Sequence, residues 1–108
     1  MEFSIYGCNA GCNNELNYLI YKGNFEYQWT FQQYVEDNID LFEMLYRLGV
    51  YLDERKLLVL ESDDIFHFYM ENFISTNDSV LELMDNIHRF KDVMFNEKDN
   101  FYLIVDIY

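Results

Sequence analysis

Residues 25–31 have the sequence Phe-Glu-Tyr-Gln-Trp-Thr-Phe, in which aromatic and polar side chains alternate. A period of two places all the rings on one face of a β-strand. Residues 22–24, Lys-Gly-Asn, form a turn signal before this strand, and residues 16–22 have the composition of a partner strand. The sequence therefore predicts a β-hairpin over residues 16–31 with one aromatic face.

The segments next to this hairpin predict a short strand, a loop and a helix. Residues 1–6 alternate loosely as a strand, and residues 7–14 are rich in Gly and Asn, which is typical of a loop. The period changes at Gln32, after which apolar residues follow helical spacing, and Gly49 marks the end of that helix. The residues predicted to form its core face are Val35, Ile39, Phe42 and Tyr46.

The second half of the chain predicts two strands and two more helices. Residues 56–61 and 101–108 are short apolar strands. Between them, Ser62 is the expected N-cap of one helix, and Ser79 with Glu82 matches a capping box that begins the next. The expected core faces are Phe66, Tyr69, Met70 and Phe73 in the first helix and Leu83, Ile87, Phe90 and Met94 in the second.

These elements predict one α+β domain over residues 1–108. Its antiparallel sheet has an N-terminal hairpin and a C-terminal strand, and about three helices cover it. With 51% hydrophobic residues in 108, the chain can form a core without disulfides. No segment has the length of a membrane span, and the N-terminus does not match a secretory signal, so we expect the protein in the cytoplasm, here that of a host cell.

The charge of the chain limits its function more than any motif does. Twenty acidic residues stand against seven Lys and Arg, a formal net charge of −13, and 19% of the residues are aromatic. A disordered acidic tail is poor in aromatic residues, so this composition indicates a folded acidic domain. Such a domain is typical of a protein that docks on a basic partner. We expect tyrosines that reach the surface to anchor that partner, the candidates being Tyr18, Tyr21, Tyr102 and Tyr108.

Two acidic rows carry the same helical spacing. Each has carboxylates at i, i+4 and i+7 on the face away from the expected core, and like charges at this spacing cost a helix about 0.2–0.5 kcal/mol per pair. A row of carboxylates can imitate the phosphates of DNA. The alternative is that both rows are ordinary solvated helix faces. The expected partner-binding residues are Glu36, Asp40 and Glu43 in one row, Asp78, Glu82 and Asp85 in the other, and then Asp63 and Asp64.

Cysteine and histidine offer a different class of function. Cys8, Cys12, His67 and His88 supply a Cys₂His₂ set by count, although the histidines are too far apart for a zinc finger. Either cysteine could act as a nucleophile with a histidine as base. We expect neither chemistry, and so no catalytic residue, metal or cofactor.

The chain has no proline and uses Asn, Tyr, Phe, Ile and Asp heavily, a bias typical of AT-rich genes. In size, charge, aromatic content and this bias, the whole chain resembles the small acidic phage-encoded inhibitors of bacterial defence, the anti-CRISPR and anti-restriction proteins. The resemblance carries no motif and so assigns no residue roles. It implies an inhibitor, not an enzyme, that binds a basic nucleic-acid-binding protein or nuclease complex. Because a net charge of −13 repels DNA, we expect no direct binding to nucleic acid, and we expect none to membranes. The alternatives are an immunity protein that neutralises a nuclease toxin, a small Cys/His metal-binding domain, and a homodimer instead of a monomer, joined through an exposed edge strand at 101–108.

Overall fold

The computed structural model describes residues 1–10, 29–53, 55–94 and 100–108. The elements in chain order are β1 (Glu2–Ala10), β2 (Trp29–Glu36), α1 (Ile39–Leu48), β3 (Val50–Leu52), β4 (Leu57–Leu60), α2 (Ser62–Glu71), α3 (Asp78–Arg89), α4 (Lys91–Met94) and β5 (Asn100–Ile107). The strands form one antiparallel sheet in the order β2-β1-β5-β4-β3. The α+β prediction, with an antiparallel sheet, N-terminal strands, a C-terminal strand and three main helices, is confirmed.

The C-terminal strand β5 lies in the middle of the sheet, between β1 and β4. Both of its faces are buried, with Phe101 and Leu103 on one side and Ile104 on the other. A continuous apolar run is what a strand buried on both faces requires. The expectation that residues 101–108 form a sheet edge available for dimerisation is therefore wrong.

The N-terminal strand is longer than predicted. Gly7–Ala10, expected in a loop, continue β1 and pair with β5. Gly7 is present because a Cβ at this position would clash with the ring of Phe31 and would meet Phe101. Most of the predicted hairpin over 16–31 lies outside the described residues, but its last three belong to β2, which pairs with β1.

Helix α1 begins later than its apolar spacing suggests. Val35 is buried in β2, and the chain turns at Asp37, whose φ is 55°, before Asn38 caps the helix. The buried residues of α1 are Leu41 and Leu45. Of the predicted core face, Phe42 packs partly buried against the core, whereas Ile39 and Tyr46 are half exposed, so the prediction is wrong for these two. The spacing from Val35 to Ile39 is helical in the sequence, but Val35 belongs to β2 and the helix begins only at Ile39. The predicted end at Gly49 is confirmed, since Gly49 is the C-cap residue and its N–H donates to the Leu45 carbonyl.

Helix α2 also turns a different face inward. Ile65 and Phe68 are completely buried, and one turn later Asn72 is buried with its amide donating to the Phe68 carbonyl at 2.9 Å. Of the predicted face, Tyr69 packs partly buried against the core, but Phe66 and Met70 are about half exposed. Phe73, which lies beyond the end of the helix at Glu71, is 74% exposed. The buried row of Ile65, Phe68 and Asn72 contains a polar residue, so it does not form a continuous apolar pattern in the sequence. The prediction therefore favoured the neighbouring row, which is apolar and aromatic throughout.

Helix α3 confirms the predicted core residues Leu83 and Ile87, both buried. Its N-cap is Asn77, not the predicted Ser79–Glu82 box, because the Asn77 side chain accepts hydrogen bonds from two backbone N–H groups. Gln33, buried in β2, fastens this helix to the sheet. Its amide donates to the Ser79 carbonyl at 2.9 Å and accepts from Asn86 at 3.2 Å.

Candidate partner-binding surface

The N-termini of α1 and α3 lie side by side because their two capping asparagines hydrogen-bond to each other. The Asn38 amide donates to Asn77 Oδ1 at 2.7 Å, and the Asn77 amide donates to Asn38 Oδ1 at 3.0 Å. Each oxygen also accepts backbone N–H groups of its own helix, Leu41 for Asn38 and Ser79 and Val80 for Asn77. Two helices remote in sequence therefore start at the same point on the surface.

The first acidic row is shorter than predicted. Asp40 and Glu43 are exposed on α1, but Glu36 is a residue of β2. Because Gln33 and Val35 face the helices, Glu36 faces the other side of the sheet, opposite Glu2 on β1. The prediction of a three-residue helical row is wrong for Glu36, since the helix had not yet begun.

The second acidic row lies on one helix. Asp78, Glu82 and Asp85 are all exposed on α3 and extend over about 10 Å at 1.5 Å per residue. Asp78 is in the first turn, where a carboxylate also stabilises the helix dipole. Asp85 forms a surface ion pair with Arg89 at 3.4 Å, an interaction that contributes little. The row begins at the residue after Asn77 and is therefore next to the start of α1.

Asp63 and Asp64 have different roles in the first turn of α2. Asp63 is exposed, whereas the Asp64 carboxylate accepts the backbone N–H of Glu61 at 3.0 Å and so completes a capping box. The N-cap is Glu61, not the predicted Ser62. The Ser62 hydroxyl instead donates to the Phe101 carbonyl at 3.1 Å and fixes the start of the helix to the sheet.

A groove of about 620 Å³ lies between α1 and the connection 72–77. Asp40 and Glu43 line its α1 side, and Ile74 lines the other. Arg47 also lines it and pairs with Glu71 at 2.6 Å. Because Ile74 is 92% exposed, the groove presents an accessible apolar side chain beside the carboxylates of Asp40 and Glu43.

A second groove of about 420 Å³ lies between α2 and the α3–α4 segment. Phe66, Tyr69, Met70 and Ile87 give it an apolar wall, and His88, Lys91 and Asp92 complete the lining. The sequence analysis did not predict this surface, because it placed Phe66, Tyr69, Met70 and Phe73 in the core. The spacing of these residues is visible in the sequence, but it does not show that they face solvent, because the core-facing row of α2 includes the polar Asn72.

Of the tyrosines expected to anchor a partner, Tyr108 is exposed and Tyr102 is buried. Tyr108 is 61% exposed and stacks on Tyr34, with ring centroids 6.2 Å apart, while its hydroxyl hydrogen-bonds to Ser4. Tyr102 is buried, so its expected exposure is wrong. Partial desolvation and the neighbouring Glu2 carboxylate raise the pKa of Tyr34. Tyr18 and Tyr21 lie outside the described residues.

The Cys/His set is not assembled by the described part of the chain. Cys8 is buried within the sheet, and burial raises its thiol pKa to about 12, which disfavours the thiolate that metal binding or nucleophilic attack requires. His67 and His88 are exposed on α2 and α3. Among residues 1–10, 29–53, 55–94 and 100–108, no three His, Cys, Asp or Glu side chains are placed to hold a metal ion. Cys12 lies outside these ranges.

No helix in the described ranges has both the length and the apolar character needed to cross a bilayer. Comparisons of the chain with protein-family models, curated proteins and solved structures found no match.

Proposed function

We propose that this protein is an acidic inhibitor that binds the basic nucleic-acid-binding surface of another protein, in the manner of anti-CRISPR or anti-restriction proteins. The observation that carries the proposal is the Asn38–Asn77 pair. It holds the starts of α1 and α3 side by side, so that the exposed carboxylates near the start of α1 and the first carboxylate of the α3 row lie on neighbouring helix ends. We infer that the two short rows act as one acidic surface.

This acidic surface, defined as Asp40, Glu43, Asp78, Glu82 and Asp85, suits a partner that normally binds a phosphate backbone. A net charge of −13 attracts a basic protein over long distances and repels nucleic acid itself. Carboxylates presented on two rigid helices need little ordering on binding, which lowers its entropic cost. Complementary charge of this kind mainly raises the association rate and sets specificity.

Two variants of equal charge test the role of the acidic surface. The surface variant combines Asp40→Asn, Glu43→Gln and Glu82→Gln, and the control combines Glu2→Gln, Glu36→Gln and Asp53→Asn. Each changes the formal net charge from −13 to −10. Glu2 and Glu36 lie on the opposite face of the sheet, and Asp53 lies in the turn after β3.

The experiment is a capture from host lysate on immobilised wild type, surface variant and control, followed by a DNA-competition assay with the captured protein. We expect a basic protein that wild type and control retain and the surface variant loses. We expect duplex DNA to compete for it and the wild-type protein to inhibit its DNA binding at equimolar amounts. Equal retention by both variants, or no competition by DNA, would contradict the proposal. A captured toxin nuclease would favour the immunity-protein alternative.

A further inference from the structure

The groove between α1 and the connection 72–77 has a wall of carboxylates. Asp40 and Glu43 both line it, and because they are three residues apart on α1 their side chains are neighbours on one helix face. Both residues are exposed, and within the described ranges neither side chain forms an ion pair or a hydrogen bond. This wall therefore presents two carboxylates that no described group neutralises.

Arg47 lines the same groove, but its charge is already offset. Its guanidinium donates to the Glu71 carboxylate at 2.6 Å, and Glu71 is not one of the residues that line the groove. With Arg47 paired in this way, Asp40 and Glu43 set the sign of the potential that a ligand meets. The groove therefore favours a cation.

Asn72 supplies a third acceptor, on the side of the groove that faces α1. Only 8% of this residue is exposed, yet it lines the groove. Its Nδ2 donates to the Phe68 carbonyl at 2.9 Å, whereas its Oδ1 accepts no hydrogen bond from any residue in the described ranges. Since no buried polar side-chain atom in those ranges lacks a partner, Oδ1 keeps contact with solvent. A nearly buried acceptor of this kind is satisfied by a donor that enters the groove.

Apolar surface lies beside these acceptors. Met44 is half-buried on α1 and Ile74 is 92% exposed on the connection, and both line the groove. A long cationic side chain can bury its methylene stem on apolar surface while its charged head stays among polar groups. A side chain with an apolar stem and a cationic head therefore matches both parts of the groove.

We propose that this groove holds one arginine side chain of the partner. The stem packs on Met44 and Ile74. The guanidinium donates to the carboxylates of Asp40 and Glu43 from one edge and to Asn72 Oδ1 from the other. Arginine suits acceptors on two sides because its planar guanidinium carries N–H donors along several edges, whereas the lysine ammonium is a compact point charge.

The inference rests on the proposed function, because it names the anchor residue of the same basic partner. Arginine is enriched among the few interface residues that carry most of the binding energy. A second copy of this chain fits less well as the source of the arginine, because two chains of −13 repel each other.

The probe is N-acetyl-arginine methylamide, titrated into the whole protein. Binding is followed by the NMR signals of the Asn72 side-chain amide and of the backbone N–H groups of residues 74–77. The corresponding citrulline derivative is the first control ligand, since it has nearly the same shape without the charge. The lysine derivative is the second, since it has the charge without the planar group.

Two variants change the groove, and each has a matched control. Glu43→Gln is compared with Glu82→Gln, which removes an exposed carboxylate of α3 that does not line the groove. Ile74→Ser is compared with Val50→Thr, since Val50 is 64% exposed on β3 and does not line the groove. Ile74 lies outside the helices and is almost fully exposed, so its truncation leaves the fold intact.

We expect the arginine derivative to shift the Asn72 and 74–77 signals saturably and to bind about threefold more tightly than the lysine derivative, the size of one exposed ion pair. The citrulline derivative should give no saturable shift. Glu43→Gln and Ile74→Ser should each weaken arginine binding about threefold, and both controls should change it much less. Equal binding of arginine and either control ligand, or equal losses in variants and controls, would overturn the proposal.

Two outcomes separate this inference from the proposed function, measured as rates with the captured partner. Glu82→Gln should slow association if the acidic surface recognises the partner, and Ile74→Ser should speed dissociation if the groove holds its arginine. If only Glu82→Gln acts, the arginine inference alone fails. If only Ile74→Ser acts, the acidic surface fails instead. Shifts at 72–77 on concentrating the protein alone would identify a second copy as the occupant and overturn the inference.

Discussion

The side-chain amides of Asn38 and Asn77 donate to each other's oxygen while each caps its own helix. Each asparagine side chain thus makes two kinds of hydrogen bond, one with the backbone of its own helix and one with the other asparagine, 39 residues away in the sequence. The result is that the starts of α1 and α3 are fixed relative to one another. The position of the acidic surface follows directly from this contact.

The first prediction concerns this asparagine pair. Asn38→Ala or Asn77→Ala should each lower the free energy of unfolding by about 1–2 kcal/mol, since each removes an N-cap and one side of the amide pair. In the double variant the losses should be less than additive, with a coupling of about 0.5 kcal/mol or more. Urea denaturation of all four proteins measures the cycle. Losses that add within about 0.3 kcal/mol would mean that the contact between the helices contributes nothing.

Gln33 gives a second prediction about the same helix. Gln33→Leu should destabilise the protein by about 1–3 kcal/mol, because the Ser79 carbonyl loses its side-chain donor and the Asn86 amide its acceptor. The neighbouring Gln32→Leu is the control, since Gln32 is exposed and a surface change there should stay within about 0.5 kcal/mol. Thermal unfolding of the two variants provides the comparison, and similar losses in both would contradict the role assigned to Gln33.

Gly7 permits a test of the register between β1 and β2. Gly7→Ala should destabilise by about 1–3 kcal/mol, because its methyl group would meet the Phe31 ring. Combining it with Phe31→Leu should recover part of that loss by removing the obstructing ring. If chemical denaturation shows Gly7→Ala to be neutral, β1 and β2 do not approach each other as described.

The buried Cys8 thiol predicts how stability depends on pH. Its pKa is raised from 9.0 to about 12 by burial, so the folded state favours the protonated thiol. The corresponding stabilisation is complete below pH 9 and is lost as the pH rises from about 9 toward 12, at up to about 1.4 kcal/mol per pH unit. The free energy of unfolding of the wild type should therefore fall more steeply above pH 9 than that of Cys8→Ala. Parallel curves would show that Cys8 titrates normally.

The sequence predicted the elements whose own apolar pattern is strong. Residues 57–60 and 101–107 are apolar runs and form strands, and Leu83 and Ile87 define α3. The position of residues 101–107 in the sheet was predicted wrongly, because the neighbouring strands β1 and β4 are remote in sequence. The faces of α1 and α2 were predicted only in part, because a boundary at Asn38 and a buried Asn72 shift the phase of the helical pattern.

The sequence predicted only part of the candidate surface, because spacing within one helix is visible in the sequence and contacts between helices are not. Acidic spacing within one helix locates Asp78, Glu82 and Asp85 on a common outer face, and the structure places all three there. The adjacency of this row to Asp40 depends on the Asn38–Asn77 contact, and no local pattern encodes such a contact. The exposed α2 row was missed because an aromatic stripe and a core face have the same sequence pattern.

We propose that the acidic surface on α1 and α3 recognises a basic partner. The most direct test is the association rate constant between this protein and the captured partner, measured from about 50 to about 500 mM salt. We expect the rate to fall steeply with salt for wild type and for the Glu2/Glu36/Asp53 control. For Asp40→Asn/Glu43→Gln/Glu82→Gln we expect a lower rate and a flatter salt dependence. The same rate and the same salt dependence in both variants would show that the acidic surface does not recognise the partner.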